Sequence, residues 1–565
     1  MIDFKEKVAE LVAANINIKK EEVIPLIEIP PQEDLGDYAL PCFQFARTLR
    51  KAPQLIAEEL VAVINQGDYF AEVKNVGPYL NFFIKRELLA KTVLEAVLSA
   101  KDNFGSSRLG AGKNVVIDFS SPNIAKPFHV GHLRSTVIGN SLYRINQFLG
   151  YHCIGINHLG DWGTQFGKLI AAYQLWGNEQ EIKAEPIPAL LKLYVKFHQE
   201  AENNLELEEK GRQCFKRLEE GDHEAAKLWE WFVELSLTEF NKIYQLLNVH
   251  FDYNTGESFY NDKMDGIVQL LQEKKLLKKS EGAYVVDLDE YEMPPCLILK
   301  SDGATLYPTR DITAAIYRKE NYHFAKALYV TDYSQNLHFA QWFKVIELLG
   351  FDWSDQLEHV PFGRVSTEEG ALKTRKGNVI FLKDLLNKAI EKARKIIEEN
   401  NSTLENKDEI AAMVGIGAVI FNDLSNSKIK DIVFNWERML SFDGETGPYV
   451  QYTHARANSV LKKGQSQSRP LDDYSALTSD EAFAVLKLLY TFPATVRKAA
   501  DRNEPFFITR QIVELAQAFN KFYHQYPILV DEVDLRESRL LLVLAVKTVL
   551  KTGLYLLGIQ APERM

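Results

Sequence analysis

At 565 residues and 46% apolar content, the chain is too long for one core and carries material for roughly three or four domains. No run of about 18 apolar residues occurs and the opening MIDFKEKVAE lacks a basic-then-apolar leader pattern, so neither a membrane span nor an export signal is expected and the expected compartment is the cytoplasm. A net charge of -11 is neutral on nucleic-acid binding, which depends on local basic patches, while Cys42, Cys153, Cys214 and Cys296 form no closely spaced pair, which argues against a structural zinc.

Residues 1–105 read as a small α/β domain. Phe4 to Ala13 has helical periodicity, Pro30-Pro31 and Asp34-Leu35-Gly36-Asp37 mark a loop, and 39–64 supplies two helices around Pro53. In AEVKNVGPYLNFFI the chain turns at Gly77-Pro78, after which Tyr79, Asn81 and Phe83 alternate onto one face; by pattern this is a hairpin packing its aromatics on the helices. KDNFGSSRLGAGK (101–113) is a Gly- and Ser-rich boundary.

The stretch NVVIDFSSPNIAKPFHVGHLRST (114–136) follows. Val115, Val116, Ile117 and Phe119 suit a buried parallel strand, with Asp118 near its C-terminal end; Ser120-Ser121-Pro122-Asn123 is a turn; a helix then starts around His129-Val130-Gly131-His132. A helix N-terminus gathers unpaired N–H groups and the positive end of the macrodipole, and two imidazoles and Lys126 lie beside this one. Gly131 lets a ring or phosphate approach the backbone, so we read a nucleotide triphosphate site. YHCIGINHLGDWGTQFGKLIAAY repeats strand, Gly-rich loop and helix.

From about 172 to 275 the pattern becomes long amphipathic helices whose aromatic stripe (Trp229, Trp231, Phe232, Phe240, Tyr244) is expected to be core, making this an insertion without chemistry of its own. The parallel sheet is expected to resume at CLILKSDGATLYPTRDITAAIYR, with Leu297–Leu299 as a strand and Asp311 as either a helix cap or a ligand. KALYVTDYSQNLHFAQWFKVIELLG places Gln335 and His338 in a loop or first turn, and HVPFGRVSTEEGALKTRKGNVIFLKDLL carries a basic loop, Lys373 to Asn378. Residues 386–440 read as a charged helical junction and 441–565 as all helix.

The strand, the SSPN turn and Lys126 three residues before HVGH together resemble the first signature of class I aminoacyl-tRNA synthetases, and NIAKPFHVGHLRST is similar to the arginyl branch. NHLGDWGTQFG, GDYALPCFQFARTLRKAP, GPYLNFF, PYVQYTHAR and the terminal APERM resemble the same branch. The resemblance implies a multidomain α/β architecture. Its parts would be an N-terminal α/β domain (1–105) gripping the tRNA D-loop, a Rossmann-type parallel-sheet catalytic domain (106–385) with a helical insertion, and an all-α anticodon-binding domain (441–565). It further implies ATP with Mg2+, L-arginine and tRNA(Arg) as partners, a monomeric state, no membrane partner and no resident metal.

Site residues carry over by position. His129, Gly131, His132, Lys126 and Gly377 would bind ATP, and Lys126, His129, His132, Lys373, Arg375 and Lys376 would stabilise its reacting phosphates. The basic loop departs from the family pattern, because Thr374 stands where the usual second lysine would be; in arginyl enzymes lacking it, a lysine at the position of Lys126 is thought to substitute. A guanidinium presents five donors in a fixed fork and calls for carboxylates with neutral acceptors, and the resemblance assigns Asp118, Asn123, His129, Tyr307, Asp311 and Gln335 to arginine. Tyr79 and Asn81 would touch the D-loop, and Tyr449, Tyr452, Tyr523 and Met565 the anticodon loop, although each tyrosine taken alone reads more readily as core. A non-catalytic tRNA-binding relative is opposed by the intact His pair, and a cysteinyl enzyme by the scattered cysteines.

Overall fold

In the computed structural model, Asp3 caps the first helix, Phe4–Ile16, by accepting from the Glu6 amide at 3.0 Å, and Phe4, Val8, Ala9 and Val12 turn inward. The structure describes all residues except 65–66, 302, 368–369, 372–380, 402 and 466–468. The first helix packs on a three-stranded antiparallel sheet, order β1-β3-β2, formed by β1 (Tyr38–Pro41), β2 (Phe70–Val76) and β3 (Tyr79–Ile84). Here one expectation is corrected. Leu80, Phe82 and Ile84 face the core, with Phe82 packed edge-on against Phe70, whereas Tyr79 stays 37% exposed and Asn81 is enclosed with its Nδ2 donating to the Leu35 carbonyl at 2.7 Å. Alternation was read correctly, but its inward half lies on the even residues, because both strand faces are partly apolar.

Strands β4 (Asn114–Asp118), β5 (His152–Ile156), β9 (Phe324–Asp332) and β10 (Leu357–Phe362) form a fully parallel sheet in the order β10-β9-β4-β5. Chain order runs outward in one direction from β4 and in the other from β9, so the switch point lies between them, where open α/β sheets leave a crevice at the strand C-termini. Asp118 and Tyr329 are register partners across that point.

The segment Cys296–Leu299 (β8) does not join this sheet. It pairs with β7 (Ala283–Val286), which pairs with β6 (Leu277–Ser280), in a separate antiparallel sheet. A four-residue apolar run fits either setting, and Leu297 is 49% exposed, as befits a sheet wet on one face. The 386–440 segment is likewise not all helix: after helices Leu382–Asn400 and Lys407–Leu424, strand β13 (Ile432–Phe434) pairs in parallel with β11 (Val365–Thr367), which also pairs with β12 (Gly370–Ala371).

The insertion is helical as expected, and Phe232, Phe240 and Tyr244 of its longest helix, His223–Leu246, are buried. Helices Gly447–Gly464, Asp480–Asp501, Phe506–Gln525 and Val533–Leu556 build the C-terminal domain, on which the catalytic domain is seated: Ser141 Oγ donates to the Leu556 carbonyl at 2.9 Å. Among the described residues no helix is long and apolar enough to cross a membrane.

Candidate active site

The turn after β4 is conformationally costly. Ser120, Ser121 and Ala125 have φ of 70°, 49° and 58°, a left-handed region that non-glycine residues occupy at about 1–3 kcal/mol each. Side chains from three elements hold it there. The Ser120 amide donates to Ser135 Oγ at 2.8 Å, the Ser121 amide to Asn157 Oδ1 at 3.2 Å and the Ala125 amide to Ser236 Oγ at 3.0 Å, while Tyr244 Oη meets Ser120 Oγ at 2.9 Å. The insertion, expected to be chemically idle, thus supplies Ser236 and Tyr244 to fix the turn.

The turn delivers the chain to helix Val130–Phe148, whose cap is made of imidazoles. His129 Nδ1 accepts from the Gly131 amide at 3.0 Å, and His132 Nδ1 accepts from the His129 amide at 3.2 Å, with the two rings stacked at 4.0 Å. Because both Nδ1 atoms accept, both protons sit on Nε2. Burial pushes His132 down to about 3 and lowers His129 as well, so the pair acts as neutral N–H donors rather than as cations. Gly131 is required, since a Cβ there would stand 2.7 Å from the His129 ring.

A cleft of about 580 Å³ opens at the switch point. Its lining brings together Asp118, Asn123, Gly131, His132, Tyr307, Asp311 and Gln335 from the expected set. Asn123 is aimed by the close approach of Gly160, whose amide donates to the Pro122 carbonyl at 3.1 Å and where a Cβ would collide with Asn123 Oδ1. Asp311 is not a cap: helix Tyr307–Tyr322 begins four residues earlier and presents Tyr307 and Asp311 one turn apart.

Asp118 lines the cleft yet is already occupied. Its Oδ2 lies 2.8 Å from the Arg318 guanidinium and its Oδ1 accepts from Ser121 Oγ at 2.9 Å, with Asp118 only 8% and Arg318 1% exposed. The resemblance assigns this carboxylate to arginine; in the structure Arg318, two hundred positions away, already supplies it with an internal guanidinium. Lys126 is outside the lining, its Nζ 5.9 Å from the Tyr194 ring and its pKa lowered by desolvation. Lys373, Thr374, Arg375, Lys376 and Gly377 lie outside the described residues, but Phe381, just beyond them, bridges to His129.

Glu257, Arg310 and Tyr329 line the cleft without any readable sequence signal as ligands, whereas His158 and Gly160 fall in the loop after β5, where open α/β sheets bind ligands. Glu257 sits in the irregular NTGESFY segment and is raised to about 7 by burial, opposed by Arg310. His158, lowered by burial, lies in the Gly-rich loop after β5 with Nδ1 3.1 Å from the Thr255 carbonyl.

Far from the cleft, Tyr452, Tyr523 and Met565 line a second cavity of about 560 Å³ together with Arg456, whose guanidinium lies 4.9 Å over Tyr452 and 5.5 Å over Tyr523. Tyr449 stands beside it, held by Asn520 Nδ2 at 2.9 Å. The four cysteines are buried and separate, and among the described residues no group of three or more His, Cys, Asp or Glu is arranged to hold a metal.

The chain matches the family model for class I (R) tRNA synthetase catalytic domains over residues 93–436, the DALR anticodon-binding domain over 450–565 and the arginyl-tRNA synthetase N-terminal domain over 3–84. It is 58% identical to the arginine–tRNA ligases of Alkaliphilus metalliredigens and Halothermothrix orenii, in each case over 100% of both chains. The solved Thermus thermophilus arginyl-tRNA synthetase superposes with a TM-score of 0.83 at 26% identity, covering 100% of each chain. With its cleft at the switch point and all three portions matched along the whole length, the chain belongs to the class I arginyl-tRNA synthetases.

Proposed function

We propose that the chain ligates L-arginine to tRNA(Arg) at the expense of ATP, through an arginyl-adenylate, with release of pyrophosphate and AMP. One observation carries the residue-level reading: His132, at the head of an anion-accepting helix, and Asp311, a carboxylate, line the same cleft. In the first step the arginine carboxylate attacks the α-phosphorus in line and pyrophosphate leaves; in the second, the terminal ribose hydroxyl of the tRNA displaces AMP. No covalent enzyme intermediate is required, so catalysis is positioning plus stabilisation of charge on phosphate oxygens.

His129 and His132 would donate Nε2–H to those oxygens, each such bond to a charged group contributing on the order of 1.5–3 kcal/mol. Lys126 and the 373–376 basic segment would supply positive charge, with Mg2+ entering as part of the substrate on the triphosphate. Asp311, with Tyr307, Asn123 and Gln335, would hold the amino acid, and Asp118 would act through Arg318 as part of the cleft wall. In the C-terminal cavity, Tyr452, Tyr523 and Arg456 offer faces on which anticodon bases would stack for about 1–3 kcal/mol each. Exposed Tyr79, 5.8 Å from the Phe43 ring, would meet the D-loop, with the enclosed Asn81 shaping the strand beneath it. We place the domain boundaries at residues 105, 385 and 440, and the enzyme in the cytoplasm as a monomer, which sedimentation of the purified chain tests.

Pyrophosphate exchange across all amino acids, with and without tRNA, tests the activity, and exchange with arginine is expected. Asp311→Asn should weaken arginine use far more than ATP use; equal losses in both would remove Asp311 from amino-acid recognition.

A further inference from the structure

Helix Val533–Leu556 closes on a left-handed turn at Gly558, where φ is 79°, with the Ile559 amide donating back to the Leu554 carbonyl at 2.9 Å. Residues 560–565 then form neither helix nor strand, so their carbonyls need partners from elsewhere. Three side chains of helix Gly447–Gly464 supply them. Gln451 Nε2 donates to the Gln560 carbonyl at 2.8 Å, His454 Nδ1 lies 3.0 Å from the Pro562 carbonyl, and Asn458 Nδ2 donates to the Glu563 carbonyl at 2.9 Å. A carbonyl can only accept, so His454 carries a proton on Nδ1.

Positions 451, 454 and 458 share one face of the helix, and their side chains are only 0%, 1% and 3% exposed. A face that merely had to pack would be apolar, because burying an amide or an imidazole is unfavourable unless it is hydrogen-bonded. Polar side chains at this depth instead hold the main chain lying on them in one register. Gln451 also reaches the Met413 carbonyl at 3.1 Å, and Asn458 Oδ1 accepts from Lys547 Nζ at 2.7 Å, whereas the hydrogen bond of His454 goes to the 560–563 segment. The neighbouring face of the same helix, with Tyr452, Arg456 and Ser459, lines the C-terminal cavity, and the held segment delivers Met565 into that lining.

We propose that Gln451, His454 and Asn458 are positioning residues for tRNA recognition: by holding the carbonyls of residues 560, 562 and 563 they fix where Met565 stands in the cavity wall with Tyr452 and Tyr523, and so complete the surface that the anticodon loop meets. The inference rests on the anticodon reading of that cavity. One helix thus does two jobs. Its cavity face offers rings and a guanidinium to bases, and its buried face sets the position of the one wall residue that comes from an irregular segment.

The experiment uses the full-length chain in aminoacylation assays that read KM for tRNA(Arg), arginine and ATP, together with binding of an isolated anticodon stem-loop RNA. His454→Leu and Asn458→Leu keep the volume and remove the donor; each should raise the tRNA KM and the stem-loop Kd by about tenfold, while the arginine and ATP constants stay within about threefold of wild type. Asparagine offers an N–H close to the Nδ1 position, so His454→Asn should restore the tRNA KM to within about threefold of wild type. Met565→Ala combined with His454→Leu should be no worse than the worse single variant, because both act on the same piece of wall. A tRNA KM unmoved by the leucine variants, a rise in the tRNA, arginine and ATP constants together, no rescue by asparagine, or additive losses with Met565→Ala would each overturn the proposal. Should His454→Leu fail to fold, Asn458→Leu, alone and combined with Met565→Ala, decides by the same criteria. If Tyr452→Ala and Met565→Ala themselves leave tRNA KM and stem-loop binding unchanged, the anticodon reading of the cavity falls instead.

Discussion

Desolvation at the cleft wall keeps the His132 imidazole from a proton that the same residue in the unfolded chain accepts near 6.5. The folded value of about 3 is below the unfolded one, so its contribution to stability is fully present above pH 6.5. It is lost as the pH falls toward 3, with a slope of about 1.4 kcal/mol per pH unit for one group. His359 and His454, each pushed down to about 4 by burial, carry the same sign over a narrower window. In NMR spectra of histidine-labelled protein, at least three imidazoles should therefore remain neutral at pH 5, and the one removed by His132→Asn should be among them; a His132 resonance that titrates near 6.5 would contradict the desolvated cap. On the proposed function the two histidines would act by hydrogen bonding, because a charged ring at that position would face the desolvation penalty without a counter-ion.

Among the elements, helix Val130–Phe148 carries the tightest constraint. Gly139 faces Phe119 so closely that a Cβ would stand 2.2 Å from the ring, and Phe119 directly follows β4, at the entry to the strained turn. Gly139→Ala should push the helix off the sheet, lowering stability by about 1–3 kcal/mol and raising the ATP KM as the imidazole cap shifts. Chemical denaturation alongside exchange kinetics checks both; an unchanged denaturation midpoint would show that the contact relaxes freely. Element boundaries followed from local rules where periodicity ran long, as in the C-terminal helices. They failed at β8, where four apolar residues could not tell a parallel core strand from an antiparallel edge, and at Asp311, where a proline at the helix start let the helix begin a turn early.

Across the whole molecule, the linker is a structural joint. Phe104, just before the Gly105 turn, stacks on Phe492 of helix Asp480–Asp501 with centroids 6.4 Å apart and an interplanar angle of 12°, and the two rings are 4% and 0% exposed. Phe492→Ala should cost about 3–5 kcal/mol and loosen the catalytic domain from the helical domain. Calorimetry should then resolve two transitions in place of one. Glu33, which reaches Lys487 at 3.2 Å across the interface with the helical domain, forms an exposed ion pair worth under about 1 kcal/mol, so Glu33→Ala should leave the melting profile nearly unchanged.

What the sequence determined by itself was whatever depends on near neighbours in the chain: the strand–turn–helix frame around HVGH, the Gly-rich loop after β5, the helical insertion and the helical C-terminal domain. These follow from spacing, turn chemistry and propensity, which act over a few residues. Only the tertiary structure decided that Asp118 is consumed by Arg318, that Glu257 and Arg310 line the cleft, and that Asp311 answers to His338. Those partners lie far apart in the chain, and pairing between them is set by how sheet and helices assemble. Charge state belonged to the same level, because a histidine's proton depends on how much water the fold leaves around it, a quantity no local pattern contains.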